Sequence, residues 1–154
     1  MADALPRFRL AVREDLGPIV AMLADDPLGA ARERSEDPLP AAYHDAFDAI
    51  ARDANQELIV AELDGRVVGT LQLSFLPGIS RQGMWRGLIE GVRIAASARD
   101  HGLGRQMVEW AIERARARGC AMVQLTSDKS RRDAIRFYQS LGFEATHEGM
   151  KRLL

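Results

Sequence analysis

Cysteine is nearly absent from this chain: its 154 residues hold one, Cys120. A lone thiol closes no internal disulfide, so no disulfide framework supports the fold, and the usage agrees with a reducing compartment. A surplus of one charge is missing as well. With 21 basic and 22 acidic side chains the formal net charge is -1, so no whole-molecule field draws in nucleic acid or an anionic membrane. Electrostatic selectivity has to be local. Apolar runs are short and broken by charge, which excludes a membrane-spanning helix, and Met1-Ala2-Asp3-Ala4-Leu5-Pro6 lacks the basic and apolar regions of a secretory signal. The expectation is a cytoplasmic protein. Repeats, low-complexity tracts and any linker long enough to separate a pair of domains are also lacking. Since 47% of residues are hydrophobic, the chain can bury one sizeable core, and residues 1–154 are expected to form a single domain.

What is present is a succession of strand-like and helix-like runs. Phe8 to Arg13 alternates apolar with mostly polar side chains, the period of a half-buried strand. A helix is expected from about Asp15, with Ile19, Val20 and Leu23 near one face. Residues 25–38, rich in Asp, Glu and Arg and carrying Pro27 and Pro38, read as a surface loop or broken helix. Tyr43, Phe47 and Ile50 mark a second helix over 41–54. Glu57–Leu63 and Arg66–Phe75 are strand-like and joined by Asp64-Gly65, a pair suited to the positive φ angles of a tight hairpin. After a loop over Pro77–Gly83 comes a strand through Leu88–Ile94, then a helix to about Ala117. In that helix Leu103, Met107, Val108, Ala111, Ile112 and Ala115 share a face, and Arg118-Gly119 closes it. A strand over Met122–Thr126, a helix over Ala134–Leu141 and a last strand from Phe143 complete the order β-α-α-β-β-β-α-β-α-β. This is an α/β fold with a mixed sheet flanked by helices.

Between the strand at Leu88–Ile94 and the following helix lies Arg99-Asp100-His101-Gly102-Leu103-Gly104. Two glycines let backbone approach a ligand closely, and the first helical turn offers unpaired N–H groups at the positive end of the helix dipole, a cradle for phosphate. It is not a dinucleotide fingerprint, because Met107 stands where the last glycine would be, nor a P-loop, since no Gly-Lys-Ser/Thr follows. Alone, the two glycines read equally well as a structural turn.

Together with the downstream run Ala134-Ile135-Arg136-Phe137-Tyr138-Gln139-Ser140-Leu141-Gly142-Phe143, however, Arg99-x-x-Gly102-Leu103-Gly104 resembles the acetyl-coenzyme A site of the GNAT superfamily of N-acetyltransferases. The resemblance has its core in residues 84–143, and the earlier segments follow in a matching order. It implies a mostly antiparallel central sheet. It also implies that backbone around Val92, Arg93 and Ile94 pairs with the pantetheine arm of acetyl-CoA like an extra strand, with a bulge in that strand. The loop Arg99, Asp100, His101 and the amides of Gly102, Leu103, Gly104 and Arg105 would hold the pyrophosphate. Two departures stand out. Ala95-Ala96-Ser97-Ala98 lacks a frequent proline, and Arg131 occupies a position where relatives often carry a cofactor-binding asparagine. Arg131, with Lys129 and Arg132, is either a solvated helix start or a contact to cofactor phosphates.

Tyr138 is the candidate general acid. A phenol of ordinary pKa ~10 is matched to protonate a departing thiolate of pKa ~8.5, and the resemblance places such a tyrosine here; otherwise Tyr138 is a core aromatic of the stripe Ala134, Phe137, Leu141. Glu90 is the candidate base. Strand alternation puts it on a face with Leu88, Val92 and Ile94, where partial burial would suit it to accept the amine's proton. Its alternatives are a salt bridge to Arg86 or Arg93, or exposure beyond a bulge. Cys120 reads as a small buried hydrophobe rather than a nucleophile. His44, His101 and His147 show no metal-ligand spacing, so no metal is expected. The acidic run over Asp25–Asp37 is either a lure for a cationic amine or a solvated face.

The implied activity is transfer of acetyl from acetyl-CoA to a small-molecule or peptide amine by direct attack in a ternary complex. The resemblance allows a homodimer. A coenzyme A-binding sensor that regulates a partner is the alternative. Residues 25–40 and 76–84, which would choose the acceptor, carry no readable motif.

Overall fold

The computed structural model describes residues 4–154; Met1–Asp3 of the N-terminal segment lie outside the described residues. Its centre is the hairpin of β2 (Gln56–Leu63) and β3 (Arg66–Pro77). Asp64 and Gly65, at φ 51° and 74°, make the turn between them, as a two-residue primed hairpin requires. β1 (Arg7–Leu10) lies antiparallel to β2, and β4 (Trp85–Ile94) antiparallel to β3. β5 (Met122–Leu125) runs parallel to β4, giving the order β1-β2-β3-β4-β5.

Period-two alternation gives the sheet two apolar faces. One carries Ile59, Ala61, Leu71, Leu73, Phe75 and Ile89, all buried under α5 (Leu103–Ala117), which lays down Met107, Val108, Ala111 and Ala115. Each fully buried large side chain contributes about 1.5–3 kcal/mol of hydrophobic stabilisation. The opposite face receives α1 (Leu16–Ala24), whose Ile19 and Leu23 meet Leu58, Thr70 and Gln72. α2 (Pro27–Ala30) is one turn, capped by Asp26, whose carboxylate accepts from Gly29 N at 2.6 Å. α3 (Ala41–Arg52) follows, and α4 (Ser80–Gly83) is a distorted turn in which Arg81 and Gln82 take positive φ. α6 (Arg132–Ser140) ends the regular structure.

The strand expected from Phe143 is not formed. Gly142 turns at φ 91° and Phe143 tucks its ring against Tyr138 at 5.9 Å, but beyond it Glu144 to Gly149 offers no alternating apolar face. The segment stays irregular and exposed. Other boundaries shift slightly: β4 begins at Trp85 rather than Leu88, and α6 at Arg132 rather than Ala134. No helix among the described residues is long and apolar enough to cross a membrane.

Candidate active site

The site is organised by a defect in β4. Gln72 faces Glu90 and Thr70 faces Arg93, so two steps along β3 correspond to three along β4, and Gly91 sits in the bulge at φ 61°. The extra residue resets the alternation. Glu90 and Arg93 therefore fall on the α1 face, whereas Val92 and Ile94 pack into the core beneath α5. This corrects the expectation that Glu90 shares a face with Val92 and Ile94. Beyond the bulge β4 also loses its other neighbour, because the ladder to β5 stops at Ile89 paired with Leu125. Val92, Arg93 and Ile94 thus run past the end of β5 with that edge unpaired. The carbonyl of Val92 accepts from Arg93 Nη1 at 2.8 Å and that of Ile94 from Arg99 Nε at 3.1 Å.

The loop after β4 passes through a 3-10 turn, Ala96–Ala98, where proline is absent, and buries Ala98. Asp100 takes φ 66°, and Gly102 caps α5 at φ 75° with no side chain bonded to the helix start. The first intrahelical bond of that end is Gln106 N to Gly102 O at 3.1 Å, so the N–H groups of Leu103, Gly104 and Arg105 are free to meet an anion. A Cβ on Gly104 would lie 3.5 Å from Phe137 Cζ and 3.7 Å from Ile94 Cγ1, ordinary contact. The protein's own packing does not require glycine there; a close ligand would. Arg99 pairs with Asp25 at 3.3 Å, Arg105 donates to Ser140 Oγ at 3.0 Å, and Asp100 and His101 are exposed.

α6 brings Tyr138 to this region between Phe137 and Phe143, edge-on to each at 5.1 and 5.9 Å. Burial pushes its phenol above the ordinary value, and the positive charges of Arg93 and Arg131 pull against that rise. Glu90 is exposed rather than partly buried. It borders a cavity of about 90 Å³ with Ile19, Leu23, Leu58, Thr70 and Gln72, and neither Arg86 nor Arg93 pairs with it. Of its readings, exposure is the one found, at the last paired residue before the bulge rather than beyond it.

Asp26 is the residue that sequence reasoning missed. Its carboxylate lies 3.2 Å from Arg93 Nε and also pairs with Arg131, so Arg131 is neither a solvated helix start nor free. Burial raises the Asp26 carboxyl, but the Gly29 N–H and the two arginines outweigh it and hold the group below its ordinary value. Within the rest of the acidic run Asp25 pairs with Arg99 and Glu33 with Arg32 and Tyr43, whereas Glu36 and Asp37 are exposed. Away from the site, Cys120 is buried, which pushes its thiol up and away from reactivity. Among the described residues no group of three or more His, Cys, Asp or Glu stands where it could hold a metal.

The model of the acetyltransferase (GNAT) family matches residues 12–143. A Salmonella typhimurium protein named aminoalkylphosphonate N-acetyltransferase is 32% identical over 106 residues, which cover 69% of this chain and 68% of that one. Glucosamine 6-phosphate N-acetyltransferase of Trypanosoma brucei brucei is 38% identical over 89 residues, 58% of each chain. Among solved structures, a Bacillus halodurans C-125 protein described as a transcriptional regulator is 53% identical, with a TM-score of 0.95 over 97% of this chain and 100% of that one.

Proposed function

This chain belongs to the acetyltransferase (GNAT) family, and from that premise we propose that it transfers the acetyl group of acetyl-CoA to a primary amine by direct attack in a ternary complex. The observation that carries the proposal is that β4 runs on past the end of β5 beyond Ile89, leaving one edge of Val92–Ile94 unpaired, beside an α5 N-terminus with no side-chain cap. An extended arm fits the first as an added strand, and a pyrophosphate fits the second. Backbone of Val92, Arg93 and Ile94 would hold the arm, and the loop from Arg99 through Arg105 the phosphates. When bound, the donor supplies an activated thioester carbonyl.

The chain's own groups then handle position and protons. Holding an amine against the thioester replaces a bimolecular encounter, which removes most of the barrier's entropic component. Glu90, exposed at the mouth of the cavity on the α1 face, takes the proton released by the attacking nitrogen, directly or through water. Tyr138 gives its proton to the sulfur as the carbon–sulfur bond breaks. Residues 1–154 act in this reading as one cytoplasmic domain, alone or as a homodimer, on small-molecule or peptide amines.

The deciding experiment is calorimetric titration with acetyl-CoA, followed by release of free thiol in the presence of primary amines. Saturable binding with amine-dependent thiol release is expected; a folded protein that binds no acetyl-CoA overturns the proposal. A second reading, a coenzyme A-binding regulator with little or no turnover, is favoured by the description of the 53%-identical relative. The presence of both Tyr138 and Glu90 speaks for the enzyme, and saturable binding without thiol release across an amine panel would speak for the regulator.

A further inference from the structure

Charge is not balanced where Asp26, Arg93 and Arg131 meet. Two guanidinium groups share one carboxylate, which leaves a net positive charge among side chains only 14% (Arg93), 19% (Asp26) and 30% (Arg131) exposed. Arg93 Nε is buried without an aligned acceptor, although Asp26 Oδ2 is 3.2 Å away. A half-buried charge lacking a full partner is costly, and a guanidinium fork is shaped for a planar or tetrahedral oxyanion. Such a place is incomplete without a second anion.

The bulge decides which anion. Arg93 projects to the α1 face, the same face as Glu90, while Ile94 projects to the α5 face, where its side chain lies beside Gly104 and Met107. Arg93 thus leaves β4 on the face opposite the pyrophosphate cradle, while Asp25, next to Asp26, reaches Arg99 of the cradle loop. Arg93 shares its face with the candidate base, and the charges of Arg93 and Arg131 both reach Tyr138. We propose that Arg93 and Arg131, converging on Asp26, form a subsite for an anionic group of the amine acceptor, so that this chain's substrates are short amines that also carry a phosphate, phosphonate or carboxylate. This rests on the acetyltransferase reading for the word acceptor, and on the arginine geometry alone for the anion.

The test compares O-phosphoethanolamine with ethanolamine, which present the same amine, by calorimetric titration into the protein with and without saturating coenzyme A. A preference of at least about tenfold for the phosphorylated amine is expected, the scale of one charge-assisted pair. Arg131→Gln, at a partly exposed helix start, and Arg93→Gln should each abolish the preference in variants whose melting confirms folding. Asp26→Asn keeps an acceptor for Gly29 N–H while freeing both arginines, and should tighten phosphoethanolamine binding severalfold. A purely structural clamp would only loosen.

Equal binding of the two amines overturns the proposal. So does an Arg131→Gln variant that weakens coenzyme A yet retains the preference, because the anion held is then the cofactor's. Thiol release tells the two readings apart: equal turnover of both amines removes the anion subsite and leaves the transferase, whereas selective binding without turnover of any amine leaves the subsite and removes the transferase.

Discussion

Tyr138 and Asp15 show how single side chains tie this structure to pH. Burial raises the Tyr138 phenol against the pull of Arg93 and Arg131, so the proton it would donate is retained to at least about pH 10. Tyr138→Phe should lower turnover about 100-fold, the lower end of general-acid effects, with calorimetric affinity for acetyl-CoA unchanged; undiminished turnover would remove the proton-donor role. Because the folded phenol titrates above its unfolded value, its contribution to stability is complete below about pH 10 and is lost as pH rises through the folded value. Asp15 works with the opposite sign. Its buried carboxylate takes a bidentate pair from Arg9, at 2.7 and 3.1 Å, and the N–H of Val12 at 2.8 Å. Arg9 first, and then the Val12 N–H, hold the carboxyl below its ordinary value despite burial. That stability is present above about pH 4 and is lost as pH falls through the folded value. Asp15→Asn should cost about 2 kcal/mol at neutral pH, less than for a fully buried pair because Arg9 keeps Glu62. Urea unfolding from neutral to strongly acid pH checks this, since the gap to wild type should close where Asp15 protonates.

At the scale of elements, the start of α5 separates what the fold needs from what a ligand needs. Gly102, at φ 75°, is required by backbone conformation, whereas Gly104 sits within the helix with room for a methyl group. Gly104→Ala should leave the melting temperature unchanged or slightly raised, through better helix propensity, and weaken coenzyme A binding about tenfold or more. A lower melting temperature with unchanged affinity would assign the glycine to packing instead. The same helix shows how far sequence reading reaches. Leu103, Met107, Val108, Ala111 and Ala115 can be placed on one face because helical periodicity is local, and Asp64-Gly65 announces its hairpin for the same reason. The family pattern predicts a bulge but not which residues it reorients. Strict alternation puts Glu90 with Val92 and Ile94, while one extra residue at Gly91 moves Arg93 to Glu90's face instead. Asp26 cannot be read at all. Its partner Arg131 is 105 residues away, and nothing in a run of acidic residues says which carboxylate will meet an arginine from a distant helix.

At the scale of the molecule, the sheet ends in short strands: β1 is four residues long, and β5, equally short, leaves its outer edge without a strand. An unpaired edge invites pairing, and short length is one way proteins limit that hazard. Residues 144–154, which carry Met150, Leu153 and Leu154 almost wholly exposed, approach the residue that follows β5 at Gly149. Little ties this segment down. Lys129 and Glu148 pair at 2.8 Å with both side chains exposed, an interaction worth about 0–1 kcal/mol, and a Cβ on Gly149 would lie 3.7 Å from Thr126 Cγ2. Phe143, by contrast, is partly buried, packing on Tyr138 and against the core. A chain ending at Glu144 should therefore melt within about 2 °C of the full sequence, since a change below 1 kcal/mol moves a domain of this size by no more than a few degrees. Differential scanning calorimetry of the two forms measures it, with sedimentation at matched concentration. A loss of more than about 5 °C would mean that the segment covers the β5 edge in solution; a concentration-dependent loss would place it on the edge of a second copy, and a concentration-independent one on its own.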